Sequence, residues 1–194
     1  MISPGTVAGD GDGDERLRLF LGLRLPDDDL DELAAWQARE LRPAERSVRV
    51  VPRENVHVTL AFLGSRPARE LAGIVAALET SVGDARSRGP MELRPERYRE
   101  TRSVGMVVLA DAEGRATALA GDLHARLEAL GVYRREQRSW LPHLTVLRFR
   151  ERPRLSPPLP AVGPLVPSDA AVFLSRLHPS GARYEVLESF RLGG

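Results

Sequence analysis

The sequence predicts a mixed fold of helices and strands arranged as two diverged lobes around one shared site, and three observations carry that expectation. Apolar periodicity switches repeatedly between the two-residue alternation of strands and the wider spacing of helices along residues 17–191. A short frame occurs twice, VHVTLAF at 56–62 and PHLTVLRF at 142–149, each with a histidine two residues ahead of a threonine in an apolar run. The length, 194 residues, suffices for one substantial core or two small lobes, so residues 16–194 are expected to form a single domain.

The elements follow in order. Residues 1–15, MISPGTVAGDGDGDE, are small, acidic and glycine-rich, and are expected to be a disordered tail. Asp10, Asp12 and Asp14 have the spacing of a calcium loop, but Glu15 stands where that loop needs glycine and Leu21 where it needs an acid. LRLFLGLRL, 17–25, predicts a strand, and Pro26 with Asp27 to Asp29 starts a helix to about Leu41, acids being favoured at the positive helix N-terminus. The strand VHVTLAFLG is expected to end at Gly64, followed by a helix over 68–82 with Leu71, Ile74, Val75 and Leu78 on one face. Strands are predicted at 91–98 and 103–110, then a helix over 114–131 closed by Gly131. The second histidine strand, 141–149, leads into a proline-rich connection. AAVFLSRL and RYEVLESF around HPSG then predict a terminal hairpin.

Composition removes several chemistries. Without cysteine there is no disulfide, thiolate nucleophile or zinc-thiolate site. All 28 basic residues are arginine, so Schiff-base lysines and phosphate-loop lysines are excluded and arginine alone supplies permanent positive charge. The net charge of +1 argues against a broad non-specific nucleic-acid binder. No apolar run approaches the ~18 residues of a membrane span, and the N-terminus lacks the signature of a secretory signal, so a cytoplasmic location is expected. No metal or cofactor is expected.

Because side chains alternate across a strand, His57 and Thr59 share one face, as do His143 and Thr145, while Val58, Leu60, Leu144 and Val146 point the other way. If the lobes pack with approximate twofold symmetry, two imidazoles and two hydroxyls converge. That set suits phosphodiester cleavage: one imidazole takes a proton from water, the other gives one to the leaving oxygen, and the hydroxyls hold the non-bridging oxygens. His124 and His178 lie outside the repeated frame and are expected in surface or capping roles.

The stretches RLFLGLRLP (18–26), ENVHVTLAFLG (54–64), RSWLPHLTVLR (138–148) and SRLHPSGARYEVL (175–187) together resemble the bacterial RNA 2′,3′-cyclic phosphodiesterases, historically called 2′-5′ RNA ligases, of the two-histidine phosphoesterase superfamily. The resemblance covers residues 17 to about 191. It implies a bilobal α+β fold, an antiparallel sheet flanked by helices in each lobe, and the histidines facing each other across a central cleft. It further implies metal-free opening of 2′,3′-cyclic phosphates on RNA ends or nucleotides to 2′-phosphomonoesters, some members also joining 2′-5′ linkages. On that likeness His57 is the general acid and His143 the general base, and a monomer is expected. Arg148, five residues past His143, would contact phosphate, although in an ideal strand it lies off the histidine face and reaches the cleft only if a bulge intervenes or its long side chain curls round. Arg138 is a further binding candidate. Trp140 is either a base-stacking platform or core, and Phe20 a cleft wall or core. Gly105 and Met106 stand in a strand that commonly carries a tryptophan in the family, which weakens any expectation of stacking there. Two other functions stay open: a phosphodiesterase acting on small cyclic nucleotides or ADP-ribose cyclic phosphate, and a non-catalytic RNA- or nucleotide-binding module.

Overall fold

The structure, a computed structural model, describes residues 15–41, 48–178 and 181–193. Eight strands and three helices follow in the order β1 (Arg16–Arg24), α1 (Asp27–Glu40), β2 (Val48–Val50), β3 (Val58–Pro67), α2 (Leu71–Arg86), β4 (Arg94–Glu100), β5 (Val104–Ala110), α3 (Arg115–Ala129), β6 (His143–Phe149), β7 (Asp169–His178) and β8 (Gly181–Arg191). The expected tail lies outside the described residues except for Glu15, whose carbonyl accepts from the Ala68 N–H as β1 begins. No helix among the described residues is long and apolar enough to cross a membrane.

The strands form one antiparallel sheet in the order β4-β5-β6-β3-β1-β7-β8, with β2 also on β6. Two four-stranded halves, β3-β1-β7-β8 and β4-β5-β6-β2, meet at a single pair, Val58 opposite Leu144. These lobes are not the two halves of the sequence: the C-terminal hairpin crosses back to lie beside β1. The helices are exchanged in the same way. Gln37 of α1 reaches β6, and His124 of α3 reaches β3.

Alternation decides the two faces. Leu19, Leu21 and Leu23 of β1 are fully buried in the main core with Trp36, Ile74, Leu78 and Leu123 from the helices; each such side chain withdrawn from water contributes about 1.5–3 kcal/mol. Phe20 points the other way and joins a separate small cluster with Ala171 and Phe173. Helix α3 ends as its glycine implied. Gly131 has φ +70°, and the N–H groups of Gly131 and Val132 return to the carbonyls of Glu128 and Leu127, which is the Schellman arrangement.

Three details depart from expectation. Gly64 does not end its strand: it takes φ +70° beside a register shift, and β3 continues to Pro67 against Arg16 and Leu17. The short strand β2, opposite Leu147 to Phe149, lacked any periodic signal in three residues. Helix α2 runs on to Arg86, where its last turn packs near the C-terminal strand through Arg86 Nε and the Arg191 carbonyl. The proline-rich connection has no regular element of its own. It is pinned by Trp36 Nε1 donating to the Pro158 carbonyl and by the buried Glu100 carboxylate, which accepts from Arg152 Nε and from the N–H groups of Arg154 and Leu155.

Candidate active site

Each histidine is held the same way. Nδ1 of His57 donates to the Asn55 carbonyl at 2.8 Å and Nδ1 of His143 to the Leu141 carbonyl at 2.8 Å. A carbonyl can only accept, so both rings carry a proton on Nδ1 and leave Nε2 for chemistry. His57 Nε2 lies 3.1 Å from Thr59 Oγ1, whose hydroxyl donates to it when the ring is neutral. The alternation expected along both frames holds: Val58, Leu60, Leu144 and Val146 are buried, while His57, Thr59, His143 and Thr145 are half-buried. The antiparallel joint at Val58 and Leu144 sets His57 level with Thr145 and Thr59 level with His143.

A shared irregularity completes the symmetry. Along β1 and β3, Gly22 pairs with Thr59 but Leu21 with Ala61, so Leu60 is an extra residue. Along β5 and β6, Met106 pairs with Thr145 but Gly105 with Leu147, so Val146 is extra. Both histidines thus have a bulge at the third residue after them, and a bulge reverses the alternation beyond it. Its consequence for Arg148 is direct. Opposite Val104, it is returned to the face of Met106, Thr145 and His143.

The bulged carbonyls are satisfied from the helices. His124 Nε2 donates to the Leu60 carbonyl at 2.8 Å. The Val146 carbonyl accepts from the Val51 N–H at 2.9 Å and from Gln37 Nε2 at 3.3 Å. His124 is therefore neither a surface nor a capping residue: it is buried, stacked on Tyr133, and serves the strand of the other histidine.

His57 sits in an aromatic pocket. The Phe20 ring centroid is 4.8 Å from its imidazole, Tyr184 presents its edge at 5.5 Å, and Phe173 lies at 5.7 Å. Gly22 makes the room: a Cβ there would stand 3.0 Å from the Val58 carbonyl oxygen and 3.2 Å from His57 Cδ2. Burial pushes the His57 pKa down to about 4, the bond to the Asn55 carbonyl opposes this, and the charges of Arg148 and His143 push it lower.

The remaining candidates separate. Phe20 is buried, stacked 4.6 Å from Phe173, and forms the wall behind His57. Trp140 packs against the core and donates Nε1–H to the Thr59 carbonyl at 3.0 Å, so the second motif's own approach staples the first motif's strand. Arg138 is not brought to the site; its side chain is 84% exposed and paired with Glu136. Gly105 faces the Tyr98 side chain from β4.

Several contributors had gone unrecognised. Arg49 of β2 stands directly opposite Arg148, and neither has an ion-pair partner among the described residues. Like charges so placed repel, and an anion between them would relieve that. Arg18 and Phe62, paired around Phe20, also lie on this face. A glycine inside an apolar strand was the one available signal, since it marks a close approach; the partners of β1 were not readable locally. Among the described residues, no three His, Asp or Glu side chains cluster as metal ligands.

Comparison with known proteins bears on family and fold. The model of the 2′-5′ RNA ligase superfamily matches residues 26–177. An RNA 2′,3′-cyclic phosphodiesterase of Thermus thermophilus is 34% identical over 187 residues, 92% of this chain and 91% of its own length. One from Methanocaldococcus jannaschii is 21% identical over 185 residues, covering 90% of this chain and all of its own. Among solved structures, a Thermus thermophilus protein superposes with a TM-score of 0.73 at 31% identity over 92% of this chain and 99% of its own. Escherichia coli LigT complexed with 3′-AMP gives 0.70 over 93% and 100%, at 22% identity, a likeness of fold.

Proposed function

Because the chain belongs to the 2′-5′ RNA ligase superfamily, we propose that it is a phosphodiesterase that opens 2′,3′-cyclic phosphates, on RNA ends above all, to 2′-phosphomonoesters without a metal ion. The observation that carries this reading is the matched pair of imidazoles. Each is committed through Nδ1 to a backbone carbonyl and keeps Nε2 for the reaction.

In the proposed step, His143 Nε2 takes a proton from water as its oxygen attacks phosphorus. The bond from phosphorus to the 3′ oxygen breaks, and His57 Nε2 gives its proton to that oxygen. One proton is taken and one given, leaving a 2′-phosphate and a free 3′-hydroxyl. Thr59 and Thr145 donate to the non-bridging oxygens, and Arg148, with Arg49 beside it, offsets the charge developing on phosphorus.

The electrostatics of His57 favour a second polarity. A pKa of about 4 leaves it neutral near pH 7, which is the state of a base. Its service as the acid requires the substrate's phosphate to supply a negative charge that favours the imidazolium against burial first and the charge of Arg148 second. Kinetic pH profiles do not separate the two polarities, because the limbs belong to the pair. A leaving group does. A diester with a nitrophenolate leaving group needs no acid, so His57→Ala should be rescued on it by about 10²-fold or more relative to the cyclic phosphate, and His143→Ala should not. Rescue of His143→Ala instead would reverse the roles.

Turnover is tested on a nucleoside 2′,3′-cyclic phosphate and on an RNA oligomer ending in one, both in EDTA. A 2′-phosphate product is expected. Activity restored only by a divalent ion would overturn metal independence, and tight binding without turnover would make the chain a binding module.

A further inference from the structure

We propose that Phe62 and Arg18 form a stacking site for the nucleobase adjoining the terminal nucleotide, so that the site takes RNA ends in preference to mononucleotides. This rests on the phosphodiesterase reading. Phe62 is the only exposed aromatic side chain among the described residues, 52% exposed on a central strand of the sheet. Nothing in the core requires it, since the ring leaves the sheet on the face opposite the helices. Its register fixes which face that is. Phe62 pairs with Phe20, and Phe20 touches the His57 imidazole, so Phe62 stands one strand spacing, about 5 Å, beyond the wall of the catalytic pocket.

The paired bulges give the position its meaning. Phe62 follows His57 by the same number of residues that separates Arg148 from His143, and each is turned onto the catalytic face by the extra residue at Leu60 or Val146. The pseudo-twofold site therefore presents a cation on one side and an aromatic ring on the other. A nucleotide offers the complement of both, a phosphate and a flat base. Arg18 strengthens the assignment. Its guanidinium carbon lies 4.8 Å above the Phe62 ring, and it has no acidic partner among the described residues. A planar guanidinium held on a ring is itself a surface on which a base stacks, with N–H groups left for a phosphate oxygen. Such stacking tolerates any base, so purines should bind somewhat better than pyrimidines without strict selection. Phe20, Phe173 and Tyr184 are packed against one another around His57 and form the pocket wall, leaving the outer position to the next base along the chain.

The experiment compares Phe62→Ala, Arg18→Ala and Phe62→Trp with wild type on a nucleoside 2′,3′-cyclic phosphate and on an RNA trimer ending in a 2′,3′-cyclic phosphate. Phe62→Ala should raise KM for the trimer about 5- to 100-fold, with kcat and the mononucleotide KM within about twofold of wild type. Phe62→Trp should keep or improve trimer affinity. Thermal melts should coincide with wild type, the side chain being exposed. Equal losses on both substrates, or none on either, overturn the proposal. Fluorescence anisotropy with a labelled trimer ending in a 2′-phosphate tests the platform apart from turnover: Phe62→Ala should weaken binding by the same factor even if wild type hydrolyses neither substrate. Unchanged binding sinks the stacking site, whereas absent turnover with weakened binding sinks only the phosphodiesterase reading.

Discussion

His57 and His143 are equivalent in how they are held and different in what surrounds them. Both fix Nδ1 on a carbonyl two residues back, but only His57 is enclosed by Phe20, Phe173 and Tyr184. If the two act in one transition state, alanine at either should cost about 10²- to 10⁴-fold in rate, and alanine at both little more than the worse single change. Multiplying losses in steady-state assays of the double variant would mean separate sites. The enclosure also has a stability consequence. A folded pKa near 4 against an unfolded value near 6.5 means that, as pH falls from 6.5 to 4, the unfolded chain binds a proton the folded chain refuses. The contribution of His57 is therefore intact above about pH 6.5 and is lost as pH falls through that window. His57→Gln should flatten this part of a melting-temperature profile measured from pH 7 to 4; a slope identical to wild type would place the acid sensitivity elsewhere.

At the scale of elements, the bulges do what the frames alone could not. The alternation of His57 with Thr59 and of His143 with Thr145 was readable from residue spacing, since strand period is a local property. Whether Arg148 reaches the same face was not, because it depends on one extra residue whose presence is set by the neighbouring strand. Gln37 and His124 hold these bulges from helices that follow other strands. Gln37→Met should lower stability by about 1 kcal/mol and lower kcat on the cyclic phosphate, since a displaced Arg148 no longer counters the charge developing on phosphorus. His124→Leu strands the buried Leu60 carbonyl and should cost about 1–3 kcal/mol of stability, with kcat on a mononucleotide close to wild type. Denaturant melts and steady-state kinetics on each purified variant check both. A Gln37→Met enzyme that kept kcat would contradict the bulge's role in presenting Arg148.

Across the whole molecule, a net charge of +1 conceals an uneven distribution. Arg18, Arg49, Arg99 and Arg148 all fall on the face of His57 and His143 by their strand pairings, and none has an ion-pair partner among the described residues. Oligonucleotide binding should accordingly weaken with salt, with a log–log slope of about −0.7 per phosphate engaged, while a mononucleotide cyclic phosphate responds less. Parallel KM titrations against sodium chloride measure this, and equal slopes for the two substrates would remove the extended basic surface from RNA binding.

By itself the sequence determined the chemical groups available to the candidate site: two histidines and two threonines on matched faces, arginine as the only permanent cation, and no thiol. It also determined where most helices and strands run, because periodicity, the capping glycine at Gly131 and the terminal hairpin are properties of neighbouring residues. Only the tertiary structure decided that the C-terminal hairpin lies beside β1, that the lobes meet at Val58 and Leu144, and that Leu60 and Val146 are bulged. Those outcomes turned His124 into a buried strap, returned Arg148 to the site, left Arg138 in solvent and exposed Phe62. Their common cause is that strand order and register depend on which distant segments share one core, a free-energy difference summed over the whole fold that no short window of residues contains.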